Sequence, residues 1–184
     1  EFNGRTQDRV IFNFLNKWDA TTFINYKFNY LKEKDFYTGV KNDLDFGWLK
    51  GKFNTIGKAS YLETKSDFQD TKFVRGAVST TLKGEKGSWS TGGSLERNEK
   101  TFKQTNTLDA TSFSWKEVFL QKQIGDSART KLLAKVYFRD NDSVQNNQLV
   151  NRNQILGFMM ESQLIKTEKT TLNALVHYRK FYYQ

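Results

Sequence analysis

Thr22-Phe23-Ile24-Asn25-Tyr26-Lys27-Phe28-Asn29-Tyr30 is the stretch on which the fold turns. In an extended strand successive side chains point to opposite sides. Ile24, Tyr26, Phe28 and Tyr30 therefore share one face, while Asn25, Lys27 and Asn29 share the other. The same alternation recurs outward in both directions. Phe36, Val40, Leu44, Phe46 and Trp48 fall opposite Tyr37, Lys41, Asp43 and Asp45; Leu132, Ala134, Val136 and Phe138 fall opposite Lys131, Lys135 and Arg139. Near the end of the chain Leu172, Ala174, Val176, Tyr178 and Tyr182 oppose Thr171, Asn173, His177 and Arg179. A period of two in so many segments predicts half-buried strands with one apolar and one polar face.

About ten such segments follow one another, at 9–18, 21–31, 36–49, 53–64, 72–82, 89–97, 113–124, 131–139, 154–165 and from 171 onward. Tight polar or glycine-bearing turns are expected at 32–35, 50–52, 83–87 and 125–129. Longer irregular connections are expected at 65–71, 98–111 and 140–153, which are rich in Asp, Asn, Ser, Thr and Gln. Only 117–122 fits a helix as well as a strand. Short connections alternating with longer ones predict an all-β, antiparallel up-and-down meander, either an outer-membrane-type barrel sector or a strongly curved sheet or barrel. The expected unit is one β-meander domain over residues 1–184.

Composition agrees with long paired strands. The chain has no proline, where about nine would be usual at roughly 5%, and proline is the residue a ladder of backbone hydrogen bonds cannot accept. It has no cysteine either, which excludes disulfides and thiolate metal sites. No apolar run reaches the roughly 18 residues of a membrane helix, and no signal peptide opens the sequence, so the start is expected to be internal or processed. The net charge of +9 is spread over successive strands without a dense basic run, which argues against nucleic acid.

Candidate chemistry is sparse. His177, the one histidine, sits on a polar strand face beside Arg179 and reads as a polar-face residue, not a catalytic base. Asp43 and Asp45 share a face in the manner of a carboxylate pair, but Lys41 joins them there and a solvated ionic row is the simpler reading. Asp140-Asn141-Asp142 lacks the later glycine and glutamate of a calcium loop. Gly84, Gly87, Gly92 and Gly93 precede no helix that would aim amides at a phosphate. No catalytic, cofactor or metal residue is assigned, and the chain is not expected to be an enzyme. Aromatic residues make up 15% of the chain, and Trp18, Trp48, Trp89 and Trp115 fall near predicted strand ends, where amphipathic rings form the interfacial belts of membrane barrels.

Ile124-Gly125-Asp126-Ser127, Val136-Tyr137-Phe138-Arg139, the run from Asn141 to Asn147, Asn151-Arg152-Asn153 and the closing His177-Tyr178-Arg179 carry a resemblance. Over about residues 113–182 the chain resembles a family of very large outer-membrane β-proteins of Bacteroidetes. The resemblance implies a fragment of a larger envelope protein, located in the outer membrane or at the cell surface and without a transferable activity. Asp126-Ser127-Ala128 and Asp142-Ser143-Val144 look like the O-glycosylation signal of such bacteria and both fall in predicted turns, which makes Ser127 and Ser143 candidate acceptors. The expected function is that of a non-enzymatic, structural or transport-related part of an outer-membrane assembly. Its partners would be outer-membrane lipid, other envelope proteins, and neighbouring chain through edge-strand pairing. The alternative is a soluble β-barrel module holding a lipid or glycan in an apolar interior.

Overall fold

The computed structural model describes residues 7–19, 21–33, 37–104, 107–125, 131–166 and 171–183. They form ten strands: β1 (Gln7–Lys17), β2 (Phe23–Glu33), β3 (Tyr37–Lys50), β4 (Phe53–Ser66), β5 (Gln69–Gly84), β6 (Gly87–Gln104), β7 (Thr107–Ile124), β8 (Lys131–Gln145), β9 (Gln148–Lys166) and β10 (Thr171–Tyr183). All ten lie in one sheet in chain order, and every neighbouring pair is antiparallel. The meander expected from the alternation is therefore present, and the ambiguous segment 117–122 is strand, inside β7. Among the described residues each strand touches only the strands before and after it. β1 and β10 are unpaired on their outer sides, so the sheet is open and does not close into a barrel.

The three connections expected to be long and irregular are mostly strand. β4 runs to Ser66 and β5 starts at Gln69; β6 runs to Gln104 and β7 starts at Thr107; β8 runs to Gln145 and β9 starts at Gln148. Asn146 and Asn147 make the last of these reversals in two residues, both at positive φ (49° and 64°). That is the backbone a tight hairpin demands and asparagine tolerates. Polarity there reflects strands that stay paired while both faces become hydrophilic. On the opposite end of the sheet, Gly51 at φ 59° reverses β3 into β4, and Gly87 at φ 135° begins β6.

A single layer buries little. The accessible surface is 13614 Å², against about 9200 Å² for a compact monomer of this mass. No side chain among the described residues is fully buried, and the least exposed large ones are Tyr137 at 8% and Glu117 at 7%. The stability of the sheet comes from backbone ladders and cross-strand side-chain pairs, without a second layer to pack against.

The β1–β2 reversal is organised by Asp19, whose carboxylate accepts hydrogen bonds from the Thr21 hydroxyl and from the Thr21 and Thr22 amides, each at 2.7 Å. Those bonds, the Thr21 hydroxyl foremost, hold the Asp19 carboxyl down at about 2. A depressed carboxyl stabilises the fold above its unfolded value near 4 and loses that contribution as pH falls through about 2. Protection of the β1 and β2 amides, taken relative to their intrinsic exchange rates, is expected to fall over that window in the native chain. Asp19→Ala is expected to exchange severalfold faster already at pH 6, with no further acid step from this turn.

Candidate functional site

Register decides what each face of the sheet carries. Val10, Phe12 and Phe14 stand opposite Tyr30, Phe28 and Tyr26, which in turn stand opposite Val40, Asn42 and Leu44. The same side of the sheet continues through Tyr61, Val74 and Val78 into Leu95, Val118 and Leu120, and then Val136, Phe138, Leu156, Phe158, Val176 and Tyr178. Many of these are strongly exposed, among them Val118 at 61%, Val176 at 60% and Tyr178 at 62%. Contiguous exposed apolar surface on this scale marks an interaction face.

Charge on this apolar face is sorted by height. At the end where β4 meets β5, β6 meets β7 and β8 meets β9 it forms a rim of ion pairs: Glu63–Lys65 at 3.2 Å, Arg97–Glu99 at 2.5 Å, Asp70–Lys103 at 2.7 Å and Asp140–Arg152 at 2.9 Å. Hydrogen bonds from Arg152 hold the Asp140 carboxyl below its usual range, and those from Tyr61 and Lys65 do the same for Glu63. At the opposite end Trp18, Trp48 and Trp89 lie beside the first three reversals, and the Lys122 ammonium sits 4.6 Å over the Trp89 ring. Between the rim and the tryptophan end, no charged residue of β3 to β9 falls on the apolar face among the described residues, and in β10 Lys180 lies on it opposite Leu156.

The band between them has the dimensions of a bilayer core. In β5 it runs over nine residues, from Val74 to Leu82, or about 27 Å of strand. It also crosses the sheet obliquely. Following hydrogen-bonded partners from Phe12 through Phe28, Asn42, Tyr61, Val74, Arg97, Ser114 and Asp142 leads to Arg152. That path starts in mid-band and ends in the rim, whereas mid-band in β9 is Phe158, about six residues lower. Over eight strand spacings this is a tilt of about 30° between the strands and the normal to the band. Strands in closed barrels tilt by about 35–45°, and the 27 Å of strand then covers a height of about 24 Å, close to the ~25 Å apolar band of membrane barrels.

The second face is ionic at the same height. Glu117 accepts from Lys135 at 2.8 Å and from Arg139 at 2.6 Å and 2.9 Å. Arg139 lies over the Trp115 ring at 4.7 Å, and Lys135 over Phe119 and Tyr137 at 4.8 Å and 5.1 Å. Tyr137 lies across Gly157, where a Cβ would come within 2.1 Å of the ring, and its hydroxyl meets His177 Nε2 at 2.8 Å. Further along, Lys27, Asp43, Asp45, Lys58, Ser60 and Arg75 line an open groove of about 370 Å³. In it Asp43 binds Lys41 and Ser60, both at 2.8 Å.

The tryptophans singled out from sequence thus divide. Trp18, Trp48 and Trp89 gather at one end, and Trp115 lies on the ionic face, two residues from Glu117. Asp43 and Asp45 do share the ionic face with Lys41 and join an ionic row. Asp140 and Asp142 face the rim as strand residues, with Asp140 held by Arg152 and Asp142 by the Ser114 hydroxyl at 2.6 Å. Ser143 lies within β8 and not in a turn, because strand pairing extends to the Asn146 reversal; Ser127 lies outside the described residues. Among the described residues no three His, Cys, Asp or Glu side chains gather to hold a metal. The rim and the Glu117 cluster escape sequence reading, since both depend on which strands are neighbours. No family model, characterised protein or solved structure matches this chain.

Glu117→Ala leaves Lys135 and Arg139 facing each other without their shared carboxylate. A loss of about 1–3 kcal/mol is expected, read as a lower denaturant midpoint at unchanged slope. Glu117→Gln, which keeps one acceptor, is expected to lose less.

Proposed function

We propose that this chain is a sector of the wall of an outer-membrane-type β-barrel in a bacterial cell envelope, with a structural or transport-related role and no catalytic one. One observation carries the reading: an apolar band of bilayer height, free of charge across β3 to β9, lies between a tryptophan end and an ion-paired rim, on one face only. In lipid, apolar outward residues cost nothing, amphipathic rings settle at the interface, and ion pairs belong in water beyond it. The opposite face keeps its Lys, Arg, Glu and Asp side chains at mid-height, as a water-lined lumen permits. The tilt of the band and the resemblance over residues 113–182 support the same assignment. A soluble module would need its apolar face covered by something else in the sheet, and each strand touches only its sequence neighbours.

Purified chain refolded with phospholipid vesicles is expected to float with them in a density gradient. In single-tryptophan variants, Trp18, Trp48 and Trp89 emission is expected to be quenched most by labels at headgroup depth, with Trp115 shielded from lipid-borne quencher. A chain that stays folded and monodisperse without detergent and does not float would refute the assignment.

A further inference from the structure

We propose that the tryptophan end of this wall is a docking surface for anionic phospholipid headgroups. The proposal rests on the membrane reading above and adds to it the class of lipid that one end meets. It starts from how charge divides between the two ends of the sheet. At the rim, Glu63 holds Lys65, Glu99 holds Arg97, Asp70 holds Lys103 and Asp140 holds Arg152. Lys72 and Lys116 stand directly opposite Glu63 and Asp140 in the neighbouring strands. Cations there are matched by carboxylates.

The tryptophan end is not matched in this way. Lys17, Lys50, Lys52, Lys83, Lys86 and Lys122 lie in or beside its reversals, and the carboxylates near that height among the described residues are Asp19, Glu85 and Glu161. Asp19 is already occupied by Thr21 and Thr22. None of these lysines forms an ion pair with a described residue. All but Lys122 are exposed. Cations gathered without partners build a positive potential that draws anions from outside the chain.

The height of these groups selects the anion. Trp48 and Lys50 share the apolar side of β3 two residues apart, and Trp89 stands opposite Lys122 on that side, with the ammonium 4.6 Å over the ring. Indole rings settle at headgroup depth, and lysine stems carry their ammonium groups outward to the phosphates. Lys52 and Lys86 extend the basic surface into the reversals themselves. A zwitterionic headgroup brings its own cation beside the phosphate, whereas a phosphatidylglycerol-type headgroup brings net negative charge. Each lysine near an anionic lipid surface strengthens association about fivefold.

The test compares two lipids around one ring. Variants keeping only Trp48 or only Trp89 are refolded into phosphatidylcholine vesicles. A minor fraction of the lipid is phosphatidylglycerol brominated near the headgroup, or the same fraction of phosphatidylcholine brominated alike. Quenching by the brominated phosphatidylglycerol is expected to be at least about threefold the greater. The excess is expected to collapse in about 1 M salt, where the screening length is about 3 Å. It is expected to shrink in Lys50→Gln/Lys122→Gln chain and to persist in Lys72→Gln/Lys116→Gln chain. Equal quenching by the two lipids would overturn the proposal and leave the membrane reading standing. So would an excess that neither salt nor Lys50→Gln/Lys122→Gln reduces. Absence of quenching by either lipid would remove the membrane reading and the proposal with it.

Discussion

Among the described residues nothing lies over the apolar face of this sheet, and that constraint governs the rest of the molecule. Ten strands in sequence order bring each residue against partners in the adjacent strands and against nothing else. A period of two then fixes the consequence: once the register of one hairpin is set, the face on which each side chain of the sheet lies is set with it. A soluble domain resolves such a face by folding a second layer over it. Here the surface stays some 4400 Å² above that of a compact chain of equal mass. On the proposed membrane reading, the solvent in contact with that face is one in which apolar surface is not penalised.

What keeps a single layer in register is local. Backbone ladders supply most of it, and the described faces add cross-strand locks where they are needed. Tyr137 lying over Gly157 and Glu117 between Lys135 and Arg139 join β7, β8, β9 and β10 at mid-height on the ionic face. Phe46 lies over Gly57 in the same manner on the apolar face, where a Cβ would come within 2.1 Å of the ring. Such contacts depend on each ring meeting the glycine directly opposite it in the next strand, so a slipped register would lose them together. Of the ion pairs of the rim, Asp70–Lys103 and Asp140–Arg152 do the same for β5 with β6 and β8 with β9, in solvent where each pair alone contributes little.

Alternation along each strand was legible from the residues themselves, because periodicity is a property of one segment. Strand number and order followed from it, since short reversals force neighbours in sequence to be neighbours in space. The ends of the strands were not legible in the same way. Polar runs at 98–111 and 140–153 look like loops in one dimension, yet they are paired strand, and Arg97 with Glu99, Asp70 with Lys103 and Asp140 with Arg152 continue the apolar face there as a charged rim. The division of the tryptophans had the same cause. Trp115 lies near one end of the predicted segment but deep within β7, and only the pairing with β6 and β8 shows which face it occupies.

The most direct measurement of which solvent meets which face is an accessibility scan of β8, one cysteine at a time from Leu132 to Asp142, with each site labelled in vesicles and exposed to a lipid-soluble and a water-soluble quencher. The account predicts that Leu132, Ala134, Val136 and Phe138 respond to the lipid-soluble quencher, and that Leu133, Lys135, Tyr137 and Arg139 respond to the aqueous one. Past Phe138 the alternation should vanish, with both Asp140 and Asp142 in water. Uniform response of neighbouring positions below Asp140, or aqueous access to the whole apolar set, would contradict it.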